Sequence, residues 1–305
     1  MTAKDELLER LKYIDKASYL PELIDNSIQD TEHNKIANLL RKGLSIVAFN
    51  ILEDFIRNRT YEALDELCNT SIPFTNLPDT LQDSSITKAL SSLQFQQKIL
   101  KKEGEDYKSI IQTETLKIAS TLSHPFQISK YSFVNANSNI SAEEIKDLLK
   151  AFGVSGGWST LQKIGNSIGA GIPNLNSAFS LASERRHSSA HSASFGYNLN
   201  WLQNLKYEII GISSSIDIVL NAKCRQAKKF PYKKMDTLNF EKEINIRFLQ
   251  KESTQYLCKT NLTKKTFKTW TSLEKALQFY TKNYRLKNKL FLMILDENKR
   301  IIDWK

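Results

Sequence analysis

Apolar residues recur at spacings of three and four along the first two thirds of the chain, which is the pattern of helices that bury one face. The clearest case runs from Asn34 to Leu67. Its apolar positions are Ile36, Leu40, Leu44, Val47, Ile51, Leu52, Phe55 and Ile56. Pro73 and Pro78 follow, and we expect a loop there because proline cannot continue a helix. The spacing therefore predicts one long early helix.

Five further helices are predicted between this loop and residue 222. They cover residues 84–101, 107–122, 141–152, 174–190 and 198–222. Ser141 and Glu144 have the spacing of a capping box, which marks the start of the third of these helices. Glycines crowd residues 153–173, but this stretch lacks the Lys-Ser/Thr pair of a phosphate-binding loop. We therefore assign these glycines to helix ends and tight turns.

The pattern changes to the alternation of strands after residue 230. Residues 244–250, 254–260 and 265–270 are predicted strands, and a short helix over Ser272 to Tyr284 comes next. Residues 289–295 and 300–304 then form a predicted hairpin. These elements predict a mainly α protein in which a helical domain, residues 1–228, is followed by a small α+β domain, residues 229–305.

Charge divides the chain at about the same place. The net charge is +10, yet residues 223–305 carry 21 Lys and Arg against 8 Asp and Glu, while the remainder carries 22 against 25. Such an excess can contact phosphates without sequence preference, or it can be an ordinary solvated surface. Aromatic residues among these lysines can stack on bases or fill the core of a small sheet. They are Phe230, Tyr232, Tyr256, Phe267 and Trp270.

Cysteine use and apolar runs indicate the compartment. Cys68, Cys224 and Cys258 are widely spaced and form no CxxC pair, which favours a reducing cytoplasm and disfavours a cysteine-based zinc site. No run of about eighteen apolar residues is present, so no membrane-spanning helix is expected. The first residues do not resemble a signal peptide. We expect a cytoplasmic protein without a membrane partner.

Two of the four histidines lie in the segment SERRHSSAHS, residues 183–192, directly after two arginines. Three interpretations remain open. Histidine and arginine at a helix end can bond the last carbonyls and complement the helix dipole. His187 and His191, four residues apart, can also share a metal ion, although no cysteine stands nearby to complete a site. The third interpretation is cleavage of RNA without a metal ion.

Metal-free RNA cleavage needs few groups. A 2′-hydroxyl must lose a proton to attack phosphorus, the 5′-oxygen must gain one, and the added negative charge must be held. Histidine can carry the proton near neutral pH, and arginine can hold phosphate oxygens. Arg186 and His191 are about 140° apart on an ideal helix. Either the helix distorts or ends between them, or two copies face each other across a twofold axis.

Residues 186–191, Arg-His-Ser-Ser-Ala-His, fit the R-[N/H/D]-x-x-x-H signature of HEPN domains. These are all-helical RNases of toxin–antitoxin, abortive-infection and CRISPR systems. The segment FSLASERRHSSAH resembles the end of the helix that carries the signature, and residues 198–220 resemble the helix that follows it. Residues 39–64 resemble the long early helix of HEPN proteins of the RiboL-PSP type. The resemblance spans about residues 10–225.

The resemblance implies a HEPN-type helical bundle and a metal-independent endoribonuclease without a cofactor. Its products would carry a 2′,3′-cyclic phosphate and a 5′-hydroxyl. Arg186 would hold the scissile phosphate, His191 would be the general base or acid, and His187 would assist or orient. Four further residues are candidates for substrate binding or for pairing with the arginines. They are Arg185, Ser188, Glu184 and Glu53.

The chain departs from the family pattern at two places. Ser192 stands where many relatives have glycine, and Ala193 stands where a tyrosine marks the variant linked to nucleotidyl-transferase antitoxins. That variant is therefore not supported. The expected partners are RNA, a second copy of the chain, and an antitoxin or other defence-system protein. Because some HEPN domains keep the fold without cleaving, a non-catalytic RNA-binding or scaffolding protein of a defence system is the alternative.

Overall fold

A computed structural model describes residues 1–133, 139–260, 262, 266–283 and 290–305. Ten α-helices lie within these residues, together with a π-helical turn over Ser84–Lys88 and one five-stranded sheet. The helices are α1 (Ala3–Ala17), α2 (Thr31–Cys68), α3 (Asp79–Asp83), α4 (Ala89–Lys102), α5 (Tyr107–Ser120), α6 (Ala142–Ala151), α7 (Trp158–Ile168), α8 (Leu175–His191), α9 (Leu199–Lys229) and α10 (Leu273–Asn283). The predicted fold class, mainly α with a small α+β part, is confirmed.

Side chains fix where several of these helices begin. The predicted capping box opens α6: the Ser141 hydroxyl accepts from the Glu144 N–H at 3.1 Å, and the Glu144 carboxylate accepts from the Ser141 N–H at 2.7 Å. Asn174 caps α8, since its side-chain oxygen accepts from the Ser177 N–H at 2.9 Å. These bonds satisfy N–H groups that lack a partner in the first helical turn. Local residues therefore set the start of the helix that carries the motif.

Three helices are additional to the predicted ones: α1, the short α3 and α7. α1 is held to the core by Leu7, Leu11 and Ile14, which are buried along one face. α7 runs through the glycine-rich stretch with Gly165 inside it. A Cβ at Gly165 would lie 2.8 Å from Leu175 Cδ1, so the glycine permits a close approach that outweighs its low helix propensity.

Element ends also differ from prediction. α9 continues to Lys229, past the predicted end at Ala222, and the predicted helix 84–101 begins with the π-helical turn. The ends of three predicted elements, at Lys265, Tyr284 and Lys289, lie outside the described residues. In the part of the chain that is described, no helix has the length and apolarity needed to cross a membrane.

The sheet contains β1 (Asn245–Glu252), β2 (Gln255–Lys259), β3 (Lys268–Trp270), β4 (Leu290–Leu295) and β5 (Ile301–Trp304). Its strand order is β3-β2-β1-β4-β5. β1 and β4 run parallel and the other neighbours are antiparallel, so the predicted β4–β5 hairpin is confirmed. All six residues of β4 are buried. A central strand with no polar face must be covered on both sides.

Both faces of β4 are indeed covered. On one face, Leu290 and Leu292 form a buried cluster with Tyr280 of α10. On the other face, Trp304 of β5 lies beside Met293 and meets the Phe55 ring of α2 edge-on, with centroids 6.4 Å apart. The Trp304 indole N–H also donates to Asp217 Oδ2 of α9 at 2.6 Å. The sheet is therefore packed into the core of the N-terminal helices.

The aromatic residues among the C-terminal lysines do not share one role. Tyr256 and Trp270 pack against the cluster beneath α10, as core residues of a sheet do. Tyr232 and Phe267 are exposed, at 72% and 54% of their surface. Tyr232 and Phe267 are therefore accessible to a stacking base, and Phe230 is partly buried.

Packing groups the described chain into two compact units. One contains Met1–Ile56, Leu161–Ile218 and Ile244–Lys305, and the other contains Arg57–Thr160 and Val219–Glu243. The motif of α8 and the whole sheet belong to the first unit. This grouping follows packing and not the boundary predicted between residues 228 and 229. Independent folding of the two predicted domains stays a prediction.

Lys223 of the second unit makes stability depend on pH. Its ammonium is buried and donates to the carbonyl oxygens of Met235 at 2.9 Å and Leu238 at 3.3 Å. Burial lowers the pKa of Lys223 to about 8, and Asp236 opposes this shift. The folded protein thus releases a proton that the unfolded chain keeps, and the free energy of unfolding rises with pH from about 8 upward.

We expect this rise to be about 2 kcal/mol larger in the wild type than in Lys223→Met between pH 7.5 and 10. Urea unfolding of both proteins at the two pH values, followed by circular dichroism, measures the difference. Tyrosines and other lysines titrate in both proteins and cancel. The same pH dependence in the two proteins would show that Lys223 is not buried as described.

Candidate active site

The motif occupies the last two turns of α8. The helix is continuous to His191, and Ser192 leaves helical geometry with φ −112° and ψ 113°. The Ser192 N–H still donates to the Ser188 carbonyl at 2.9 Å, which closes the last turn. The helix does not end between Arg186 and His191, so their separation of about 140° around the axis is kept. The backbone of one copy therefore does not turn both groups to the same side.

His187 and His191 form an exposed pair on this helix. Their ring centroids are 4.7 Å apart and their planes are inclined by 45°. Glu184 is exposed one turn earlier. Two imidazoles this close on an open surface can exchange protons with one bound group. Within the described residues, no cluster of three or more metal-ligating side chains is formed, whereas a zinc site needs at least three protein ligands.

Arg186 has an unused hydrogen-bond donor. The residue is partly buried, and its Nε is shielded from solvent without an acceptor among the described residues. A buried donor left without a partner costs about 1–3 kcal/mol. A phosphate oxygen would satisfy it, because the guanidinium fork matches phosphate geometry. Glu53 is buried on α2; its predicted pairing with Arg186 stays a prediction.

Arg185 contacts α9. Its guanidinium carbon lies 4.5 Å from the centroid of the Trp201 ring, a cation–π arrangement. Burial raises the pKa of Tyr197 to about 12, and Arg185 works against this rise. Burial likewise raises the pKa of Glu208, and Arg185 again opposes it. Arg185 thus interacts with three side chains of the segment that follows the motif, Tyr197, Trp201 and Glu208. These interactions favour a structural role for Arg185 over that of a solvated surface residue.

Three polar residues of α2, spaced four and three apart, hold the segment that follows the motif. The Lys42 ammonium is buried and donates to the carbonyl oxygens of Ser192 at 2.8 Å and Ala193 at 3.3 Å. Those oxygens lie at the negative end of the α8 dipole, where a cation is favourable. Lys42 thereby fixes the exit from the helix directly after His191.

The other two residues of this set, Asn38 and Ser45, lie on either side of Lys42 in α2 and form further hydrogen bonds. Asn38 donates to the Phe195 carbonyl at 3.0 Å and accepts from the Tyr197 N–H at 2.7 Å. The Ser45 and Ser189 hydroxyls are hydrogen-bonded at 3.2 Å. The sequence pattern does not distinguish these residues. The available signal is polar residues at i, i+4 and i+7 along α2, a spacing that solvated positions also produce.

The predicted site residues therefore fall into distinct positions. His187 and His191 are brought together, Arg186 is partly buried with a vacant donor, and Arg185 turns to α9. Ser188 contributes its carbonyl to the helix end. Their roles in catalysis and substrate binding stay predictions.

Comparison with known proteins identifies a family. A family model described as RiboL-PSP-HEPN matches residues 5–222. No curated protein and no solved structure matches the chain. The matched residues include the long helix α2, the motif on α8 and most of α9.

Proposed function

The chain belongs to the RiboL-PSP-HEPN family, and on that premise we propose that it is a metal-independent endoribonuclease. Membership of this family points to a nuclease or RNA-binding function in general. The observation that carries the finer proposal is the pair of exposed imidazoles at the end of α8, one turn from an arginine whose buried Nε has no acceptor in the described structure. Proton transfer and phosphate binding are the two tasks that metal-free RNA cleavage requires.

In the proposed reaction, His191 takes the proton of the 2′-hydroxyl as its oxygen attacks the adjacent phosphorus, or gives a proton to the leaving 5′-oxygen. Its ring is exposed, so a substrate can reach it. His187, 4.7 Å away, orients His191 or takes the complementary proton role. Arg186 holds the non-bridging oxygens, whose charge increases in the transition state. The products carry a 2′,3′-cyclic phosphate and a 5′-hydroxyl.

We further propose that the active form is a homodimer. Because α8 is continuous, Arg186 and His191 of one copy diverge around the helix axis. The exposed face of α8 carries Leu181, Glu184, His187 and His191, and Leu181 exposes 46% of its surface. If two copies of the motif face each other across a twofold axis, two arginines and two histidines share one cleft, and the histidines of one copy can act with the arginine of the other.

Mixing two inactive variants tests this arrangement. We expect Arg186→Ala and His191→Ala, unfolded together and refolded as a mixture, to recover about a quarter of the wild-type cleavage rate. Half of the random dimers are mixed, and each mixed dimer has one complete site of two. The rate is measured on a fluorescently labelled RNA, with each variant refolded alone as the control. Recovery of no activity by a mixture that forms dimers would mean that each copy supplies its own arginine and histidine.

We place the enzyme in the cytoplasm as a toxin or phage-defence effector, controlled by an antitoxin or another defence-system protein. The experiment that tests the function in cells is RNA sequencing after induction of the wild type and of His191→Ala. Cut sites that appear only with the wild type support the proposal. RNA that is bound by both proteins and cut by neither supports the alternative, a non-catalytic RNA-binding or scaffolding protein.

A further inference from the structure

The first compact unit contains a pocket that the RNA-cleavage proposal does not use. Its volume is about 390 Å³, within the range of small-molecule sites. The loop 169–173, one face of α9 and the turn between β4 and β5 enclose it. Gly169 and Gly171 adopt φ of 73° and 69°, and a Cβ at Gly211 would lie 2.6 Å from Ile172 Cδ1. The wall thus depends on glycines that let the loop lie against α9.

Glu208 lines this pocket from α9, and one oxygen of its carboxylate accepts no hydrogen bond within the described residues. This oxygen, Oε2, is shielded from solvent. Burial raises the pKa of Glu208, which Arg185 partly counteracts. A buried carboxylate oxygen without a donor is costly, so a ligand that donates hydrogen bonds would be stabilised here.

The rim of the pocket has the opposite charge. Lys299 and Arg300 are exposed at the turn, and neither side chain has a carboxylate partner within the described residues. The Arg300 guanidinium carbon lies 4.3 Å from the centroid of the Tyr207 ring. Lys299 adopts φ 62°, a left-handed conformation in which glycine is the less strained residue. The rim therefore carries two cations, Lys299 and Arg300.

A ligand for this pocket must combine a donor edge with an anionic group. The positive rim would repel a simple amine, and the Glu208 carboxylate would repel a lone phosphate. A nucleotide has a flat base that can stack on the Arg300 and Tyr207 pair and a phosphate that can reach the rim. Among the four common bases, guanine alone presents adjacent N–H donors, N1–H and the 2-amino group, to an acceptor-only carboxylate.

We infer that this pocket binds a guanine nucleotide, with the base on Glu208 and the phosphate between Lys299 and Arg300. The same chemistry is available from a free nucleotide and from a guanosine within an RNA strand. Arg185 couples the pocket to the motif, because it balances Glu208, stacks on Trp201 and precedes Arg186 in the chain.

Isothermal titration calorimetry of the full-length protein with GMP, AMP, CMP and UMP tests the inference. We expect GMP to bind at least about tenfold more tightly than the others, the value of one charge-assisted hydrogen bond. The Glu208→Gln variant should lose the preference for GMP, and the Arg300→Gln variant should bind all four nucleotides more weakly. Glu297→Gln is the matched control, because Glu297 lies on the same turn, pairs with Lys251 and does not line the pocket.

RNA pentamers that contain one guanosine or none distinguish the two sources. The His191→Ala protein is used in this experiment, so that the pentamers are not cleaved. Binding of the guanosine pentamer without binding of GMP assigns the site to the RNA strand. Binding of GMP without competition by the pentamer assigns it to a free nucleotide. Equal affinity for GMP and AMP, or an unchanged GMP affinity in a folded Glu208→Gln, would overturn the inference. Binding is read without cleavage, so this result is independent of whether RNA is cut.

Discussion

Replacement of His191 by alanine is expected to lower the rate of RNA cleavage by about 10²–10⁴-fold, the usual contribution of a general acid or base. Replacement of Arg186 by alanine should lower it by about 10²–10³-fold, since a charge-stabilising donor is lost from the transition state. Arg186→Lys should recover only part of this loss, because an ammonium keeps the charge but not the two-pronged geometry. Single-turnover cleavage of a labelled RNA in EDTA measures all three.

His33→Ala is the matched control for these variants. The His33 ring is hydrogen-bonded to the Ile24 carbonyl at 2.8 Å and lies near the start of α2, outside the motif. It should cut RNA at the wild-type rate. Because His191 is exposed, its removal should leave the melting temperature unchanged. A His191→Ala protein that keeps more than a tenth of wild-type activity would remove His191 from the proposed chemistry.

Trp304→Ala is expected to lower the free energy of unfolding by about 3–5 kcal/mol, as large-to-small substitutions at buried aromatic residues do. Trp304 is 1% exposed, packs edge-on against Phe55 and donates to Asp217 at 2.6 Å. The loss would be a large part of the total stability of an ordinary domain. Urea unfolding followed by circular dichroism measures it.

Two further variants separate the contributions of packing and hydrogen bonding to this loss of stability. Trp304→Phe keeps most of the packing but loses the hydrogen bond to Asp217, and it should cost about 1–3 kcal/mol. Tyr232→Ala removes an aromatic side chain that is 72% exposed and should cost less than about 0.5 kcal/mol. A Trp304→Ala protein as stable as the wild type would mean that the sheet is not packed into the helical core.

The helices and strands are predictable where local residues decide them. Ser141 with Glu144 and the side chain of Asn174 set helix starts through bonds only three residues long. The apolar run of β4 signals a strand buried on both faces, but not what buries it. The covering residue, Phe55, is separated from Trp304 by most of the chain, and no local pattern encodes such a contact. The small C-terminal sheet was therefore predictable as an element but not as part of the core.

The candidate site is likewise only partly predictable from the sequence. The order Arg186 to His191 is a local pattern, and the sequence identifies it together with the adjacent helices. Lys42 and Glu208 are not identifiable, because polar residues within amphipathic helices look the same whether they are solvated or buried. Lys42 acts on carbonyl groups 150 and 151 residues away, at Ser192 and Ala193. Only the tertiary structure distinguishes these residues from ordinary surface positions.

The strongest test of metal-independent cleavage by 2′-hydroxyl attack is the chemistry of the cut strand. A synthetic RNA with a defined cut site is incubated in EDTA beside a copy that carries one 2′-deoxy nucleotide on the 5′ side of that site, and the products are analysed by mass spectrometry. We expect a 2′,3′-cyclic phosphate and a 5′-hydroxyl from the all-ribose strand and no cleavage of the deoxy copy. Cleavage of both strands, or cleavage that occurs only when a divalent metal ion is added, would contradict it.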